Sequence, residues 1–309
     1  MEIPDVIRTC VGFVGVRTSL ADPIPVGTFF YVVHDNAGYV VTAAHVFEGV
    51  RAHSRDALLY LRINLAKTGS IWASTPLTEW VAHSDLGIDL VACPIVFEPS
   101  VVDLRAFPMA SAATRPVVQQ HNIGLGDEVF LTGLFVRHYG LSRNIPIVRT
   151  GAIAAMPEEP VPWRRPTPDG PKDVEMEAYL IEARSIGGLS GSPVFAYVSN
   201  MRAGSLRLGV GPQYFLLGVM HGHWDAPPDE TPQDLALTAE MKLESVNMGI
   251  GIVVPVDALL DLLNREPFAS ARAMRDEVGR RATESTRDSA SSTADGAPPA
   301  AQSPDASQG

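Results

Sequence analysis

The sequence predicts an all-β protein, and three features of its composition and pattern support that class. The 309 residues include 26 glycines and 25 prolines, a content that favours many short elements joined by turns. Short runs of β-branched and aromatic residues recur between these turns, and no intervening segment has the length and periodicity of a crossover helix. Hydrophobic residues make up 46% of the chain, which is ample for a packed core.

The predicted strands have the lengths and spacing of a sandwich or a barrel. One helix is predicted late in the chain, over residues 257–264, where four leucines fall on one flank after Pro255. The clearest predicted strands are Val26–Val33, Gly38–Thr42, Ala57–Ile63, Ile88–Ile95, Glu128–Phe135, Ile145–Ala154, Ala178–Ala183, Pro193–Val198, Tyr214–Met220 and Gly249–Val254.

Two proline-rich segments interrupt this pattern, and both are predicted as surface loops. They are Met156–Asp173 and Asp225–Asp234. Proline cannot donate a hydrogen bond to a β-ladder, so neither segment is expected to hold a strand. Residues 268–309 are predicted as a disordered tail, because after Val278 the chain has no Val, Ile, Leu or aromatic residue with which to build a core.

Charge and targeting signals restrict the partners and the compartment. The net charge is −11 and no run of Lys or Arg is present, so nucleic acid is not an expected partner. The first residues lack the features of a signal peptide, and no apolar stretch approaches the roughly 20 residues of a membrane helix. Cys10 and Cys93 lie in apolar runs and are predicted to be buried free thiols. We therefore expect a cytoplasmic protein without a membrane partner.

Three segments carry residue types that suit acyl transfer. A strand runs into a turn that carries His45, Asp89 leads an apolar strand, and Ser190 lies in a glycine-rich turn before another strand. A serine hydroxyl needs a base such as neutral imidazole, and a buried carboxylate holds that imidazole in the correct tautomer. The developing oxyanion needs N–H donors, which the backbone amides of Gly188 and Ser190 can supply.

These segments and their order resemble the chymotrypsin/trypsin-like serine protease family. The motifs are Thr42-Ala43-Ala44-His45, Asp89-Leu90-Val91 and Gly188-Leu189-Ser190-Gly191-Ser192-Pro193. The order histidine, aspartate, serine differs from that of subtilisin and from the hydrolase order that begins with serine. The resemblance covers about Val11 to Leu263.

This resemblance implies two six-stranded antiparallel β-barrels with the site in the cleft between them. The implied protease domain spans residues 1–267, with the first barrel at about 11–110, the second at about 120–256 and a closing helix at 257–264. Residues 268–309 follow as the tail.

The function implied by the resemblance is that of a bacterial-type serine endopeptidase with a polypeptide substrate. Ser190 is the expected nucleophile, His45 the general base and Asp89 the orienting carboxylate. Asp85 is an alternative for the last role, although its setting in Ser84-Asp85-Leu86-Gly87 is more typical of a turn. Acyl transfer by these groups requires no metal or organic cofactor. The alternatives are a catalytically silent binding module on the same fold and a protease dedicated to one partner, with the proline-rich loops restricting the cleft.

The resemblance also implies a substrate pocket between the stretch before the nucleophile and the strand over residues 218–223. Strand alternation puts His221 and His223 on one face, where a histidine favours an acidic substrate side chain. The same pair is a weak zinc pattern with Asp225 as third ligand, and a third possibility is that both histidines stand at the cleft rim. The expected pocket residues are Arg184, Met220, His221, Gly222 and His223.

Overall fold

The computed structural model describes residues 3–135, 138–165, 167, 170, 172–183, 188–202, 205–206, 213–226 and 246–278. The chain divides into two units, Met1–Asn264 and Arg265–Gly309. The first unit is built mostly from β-strands, which confirms the predicted class at that level. Among the described residues, no helix is both long enough and apolar enough to cross a membrane.

The first half of the larger unit is one curled sheet of eight strands. They are β1 Val11–Val16, β2 Ile24–His34, β3 Ala37–Thr42, β4 Leu58–Asn64, β5 Ser70–Pro76, β6 Val81–Ala82, β7 Val91–Pro94 and β8 Phe107–Pro108. Their order is β5-β4-β1-β2-β3-β7-β6, and β8 pairs in parallel with β2.

This sheet differs from the predicted six-stranded barrel because it does not close. Within the described residues 3–135, the edge strands β5 and β6 do not pair with each other. Pro76 ends β5, a 3₁₀ turn over Leu77–Glu79 follows, and β6 is only two residues long. The β6 edge is therefore too short to extend the ladder of β5.

The second half contains the closed barrel that the sequence predicts there. The described strands of this half are β9 Glu128–Gly133, β10 Ile147–Ala155, β11 Val161–Arg165, β12 Lys172–Met176, β13 Tyr179–Glu182, β14 Pro193–Val198, β15 Met201–Arg202, β16 Ser205–Leu206, β17 Gln213–Ala226 and β18 Val246–Pro255. Six of them close in the order β10-β13-β18-β17-β14-β9 with antiparallel neighbours. The pairs β11–β12 and β15–β16 are separate two-stranded ribbons.

The prediction of a loop over Met156–Asp173 is wrong for part of that segment. Residues 161–165 form β11, which pairs with β12 from Val161 opposite Met176 to Arg165 opposite Lys172. In a two-stranded ribbon, every second residue points its N–H away from the partner strand, so a proline such as Pro162 is tolerated. The predicted loop Asp225–Asp234 begins with the last two residues of β17, and residues 227–234 lie outside the described part of the chain.

The described residues include five α-helices: α1 Asp5–Thr9, α2 Ala44–His53, α3 Arg115–His121, α4 Val256–Asn264 and, in the second unit, α5 over residues 268–278. Helix α4 confirms the predicted helix and buries Leu259, Leu262 and Leu263. Helix α5 contradicts the predicted tail over its own length, because its Ala, Arg, Met and Glu residues have high intrinsic helix propensity. Residues 279–309 lie outside the described chain.

Each half of the larger unit has its own apolar core. Phe29, Leu59 and Leu61 are fully buried inside the first sheet, and Leu131 and Leu217 are fully buried inside the barrel. Cys10 and Cys93 are buried free thiols, as predicted, and burial raises the pKa of each to about 12. Neither is a reactive thiolate at neutral pH.

Candidate active site

His45 is placed by the junction between β3 and helix α2. The strand ends at Thr42, Ala43 is extended, and the helix begins at Ala44, so His45 lies in its first turn. The backbone N–H of His45 donates to Asp89 Oδ1 at 2.8 Å. A carboxylate at this position satisfies one of the free N–H groups at the helix start and is favoured by the helix dipole. The sequence pattern predicted only a short turn here.

Asp89 lies just before β7 and is the carboxylate in contact with His45. Its side chain is fully buried, and Asp89 Oδ2 lies 2.6 Å from His45 Nδ1. Asp85, the alternative, instead accepts the backbone N–H of Gly87 at 2.8 Å within a turn. The geometry therefore pairs His45 with Asp89.

His221 is a second histidine on the same carboxylate oxygen. His221 Nδ1 lies 2.5 Å from Asp89 Oδ2, and the rings of His45 and His221 are 5.1 Å apart, edge to face. His221 is the extra residue of a β-bulge, since Met220 pairs with Val253 and Gly222 with Ile252. A bulge redirects side chains, so the simple alternation used to predict a pocket-facing histidine fails at this point.

The shared hydrogen bonds set the charge states at the site. Burial favours the neutral carboxyl, but the charge of His45 and the hydrogen bonds from His221 and His45 outweigh it and hold the pKa of Asp89 well below its usual range. Burial also favours neutral His45, but the charge and hydrogen bond of Asp89 outweigh it and raise the pKa of His45, with Arg165 opposing. Asp89 is therefore an anion that fixes both imidazoles in the Nδ1–H tautomer.

Ser190 lies in a turn that both halves of the unit hold in place. The Ser190 carbonyl accepts the N–H of Thr28 at 3.0 Å, and Gly191 donates its N–H to the Met220 carbonyl at 2.8 Å. Ser190 and His45 both line a cavity of about 340 Å³. Among the described residues, no hydrogen bond joins Ser190 Oγ to His45. Catalytic hydrogen bonds are often long or poorly aligned in active sites without substrate.

The other serine of this turn does not face the cavity. Ser192 is fully buried, and its Oγ has no hydrogen-bond partner among the described residues. The backbone N–H groups of Gly188 and Ser190 also have no acceptor within the described chain. Two free N–H groups beside a serine are what an oxyanion needs.

The structure does not bring the remaining predicted pocket residues together around one pocket within the part of the chain that it describes. Met220 is fully buried in the barrel core, so it does not line an open pocket. A side chain at Gly222 would meet open space, and His223 is half-buried. Arg184 and the side chain of Asp225 lie outside the described part of the structure.

The β11–β12 hairpin packs against the side of the site formed by Asp89 and His221. The Trp163 ring lies 4.5 Å from the His221 ring. The buried Arg165 guanidinium donates to the carbonyls of Leu86, at 2.6 Å, and Ile88, at 3.1 Å. These bonds hold the segment that carries Asp89, and no sequence signal identified them because Arg165 lay inside the predicted loop Met156–Asp173.

Methionine in place of Arg165 is expected to lower the free energy of unfolding by about 2–3 kcal/mol, because it leaves two carbonyls without their charged donor. Urea denaturation of the full chain measures the change. Arg164 is the matched control: its side chain is 71% exposed and 3.7 Å from Asp173, so Arg164→Met should cost less than about 0.5 kcal/mol. Equal losses of stability in the two variants would contradict the inference that Arg165 holds the segment that carries Asp89.

One group of side chains in the described structure has the composition of a metal site. His45, Asp89 and His221 each offer one ligand atom, and the three atoms lie within 4.8 Å of one another. Two imidazoles and a carboxylate are ligands of the type that zinc prefers.

Comparison with known proteins adds no family assignment. No protein-family model matches the chain, and no curated protein matches it. A function must therefore be inferred from the geometry of the site.

Proposed function

We propose that the protein is a serine endopeptidase with Ser190 as nucleophile, His45 as general base and Asp89 as orienting carboxylate. The observation that carries the proposal is the 2.6 Å contact between Asp89 Oδ2 and His45 Nδ1. It puts the imidazole proton on Nδ1 and leaves Nε2 free to accept the serine proton. We also propose that the curled sheet and the closed barrel correspond to the two barrels of a trypsin-like protease.

In the proposed reaction, Ser190 Oγ attacks the carbonyl carbon of the scissile peptide while its proton moves to His45 Nε2. The oxyanion accepts hydrogen bonds from the N–H groups of Gly188 and Ser190, which are free within the described residues. His45 then gives the proton to the leaving amine. Water reverses these transfers, regenerating Ser190 and releasing the acid.

The surroundings of the site support a polypeptide as substrate. The 340 Å³ cavity beside Ser190 is lined by valines of two strands and of helix α2. A second cavity of about 430 Å³ adjoins it along the same helix and also reaches His45. Apolar walls beside a serine and a histidine suit the side chains that flank a peptide bond. The lining valines are Val16, Val26, Val46 and Val50.

Labelling with a fluorophosphonate probe tests the proposal. We expect wild-type protein to be labelled on Ser190, as mapped by peptide mass spectrometry, and Ser190→Ala to lose the label completely. Ser192→Ala is the matched control two residues away. Because Ser192 Oγ is buried without a partner, its removal should leave both stability and labelling near wild type.

The alternatives predict different results. A folded wild-type protein that takes no label would contradict the protease proposal and favour a silent binding module. Labelling of Ser190 without cleavage of casein would support a protease dedicated to one partner. Labelling that persists in Ser190→Ala and disappears in Ser192→Ala would show that Ser192, and not Ser190, is the nucleophile.

A further inference from the structure

The second histidine on Asp89 has no role in the proposed reaction. One imidazole suffices to activate a serine, yet His45 Nδ1 and His221 Nδ1 both lie within 2.6 Å of Asp89 Oδ2. The three residues come from helix α2, from the segment before β7 and from the bulge in β17. We propose that His45, Asp89 and His221 form a zinc site, and that zinc bound there switches the candidate active site off.

The ligand set fits zinc with a small adjustment. Zinc takes two imidazoles, one carboxylate and a water in a tetrahedron, with bonds of about 2.0–2.2 Å that place neighbouring ligand atoms about 3.4 Å apart. Each imidazole nitrogen must therefore withdraw from Asp89 Oδ2 by less than about 1 Å, and the two nitrogens, which lie within 4.8 Å of each other, must approach by at most about 1.4 Å. Asp89 is already oriented, because its Oδ1 accepts the backbone N–H of His45 at 2.8 Å.

Charge and access also favour a cation here. Asp89 is a fully buried anion in contact with both imidazoles, and the neighbouring cation, Arg165, donates its hydrogen bonds to the carbonyls of Leu86 and Ile88. His45 lines both neighbouring cavities, and the side chains of His45 and His221 are 26% and 14% exposed. Both imidazoles are therefore partly accessible from solvent.

The inhibition follows from the tautomer that zinc requires. An imidazole that binds metal through Nδ1 carries its proton on Nε2. Zinc thus replaces both Nδ1–H bonds to Asp89, and each proton moves to the Nε2 atom of its own ring with no net release. His45 Nε2 then cannot accept the proton of Ser190. This step rests on the proposed function, whereas the binding of zinc does not.

Calorimetric titration with zinc chloride tests binding in the full-length Ser190→Ala protein, which keeps all three ligands and cannot turn over. We expect one tight site per chain. In the same background, His221→Gln should weaken zinc binding at least about 100-fold, since loss of an outer-shell partner alone costs roughly 10–100-fold. His223→Gln, two residues along the same strand, is the matched control and should stay within about threefold.

Thermal unfolding checks that each variant is folded, and His45→Gln replaces His221→Gln if the latter is not. Absence of a tight site, or equal affinity in the His221→Gln and control proteins, overturns the proposal. Loss of binding in His223→Gln alone overturns it in favour of a different site.

Probe labelling of the wild-type protein tests the inhibition separately. Saturating zinc should slow labelling at least about tenfold, and a chelator should restore it. Labelling unaffected by bound zinc overturns the inhibitory role. A wild-type protein that never labels instead contradicts the proposed protease, while the calorimetric result for zinc still stands.

Discussion

Asparagine in place of Asp89 is expected to slow labelling of Ser190 by about 10³–10⁴-fold, the magnitude typical when the tautomer of a catalytic imidazole is lost. Asp89 accepts three N–H groups: the backbone N–H of His45, His45 Nδ1–H and His221 Nδ1–H. An amide offers one oxygen and one NH₂ group. In either orientation, its NH₂ faces at least one of these donors.

The orientation of that amide decides how the site fails. If the NH₂ faces the imidazoles, His45 turns to the tautomer with the proton on Nε2 and cannot act as a base. If the NH₂ faces the helix instead, the backbone N–H of His45 loses its acceptor and the imidazole shifts with it. The first outcome leaves Ser190 without its proposed base, and the second leaves that base misplaced.

The second-order rate constant for fluorophosphonate labelling measures this effect. Asp85→Asn is the matched control, because Asp85 is four residues away and accepts only the Gly87 N–H of its own turn from the described residues. Its labelling rate should stay within about threefold of wild type. A slow Asp85→Asn with an unaffected Asp89→Asn would reassign the orienting carboxylate.

Alanine in place of Gly191 is expected to lower the free energy of unfolding by about 3–5 kcal/mol, combining backbone strain with a steric clash. Gly191 has φ of +83°, a conformation that residues with a Cβ rarely adopt. A Cβ there would also fall inside contact distance of the Thr28 carbonyl oxygen and Thr42 Oγ1. Thr42 Oγ1 donates to that same carbonyl at 2.7 Å, so neither group can move independently.

Urea denaturation of the full chain gives this change in stability. Gly124→Ala is the matched control, since a Cβ at Gly124 meets no atom within 4 Å and its φ is ordinary. The control should lie within about 0.5 kcal/mol of wild type. A Gly191→Ala protein as stable as the control would mean that the Ser190 turn is looser than its contacts indicate.

Much of the site was predictable from the sequence, because its chemistry lies in short motifs. His45 follows a buried strand, Asp89 precedes one, and Ser190 lies in a glycine turn, so each is identified by its local pattern. Local pattern favoured Asp89, which leads an apolar strand, but left Asp85 open as an alternative. That choice depends on which carboxylate reaches the start of helix α2, a contact across 44 residues of chain.

The errors about β11 and about the first sheet share one physical cause, the pairing of segments that are distant in the chain. Rules about proline and about hydrophobic content describe single segments, but β11 is stabilised by its partner strand and by the contacts of Arg165 with Leu86 and Ile88. Helix α5 follows from helix propensity, which the composition argument for the tail ignored. Closure of the first sheet depends on pairing of distant edges, which strand spacing does not encode.

The sequence by itself determined that this protein is mostly β and that histidine, aspartate and serine occur in the order suited to acyl transfer. Only the tertiary structure decided what surrounds the aspartate. A single bulge in β17 turns His221 onto Asp89, 132 residues away in the chain, and a hairpin packs Trp163 behind it. Side-chain direction at a bulge is set by register with neighbouring strands, and register is a property of the assembled sheet.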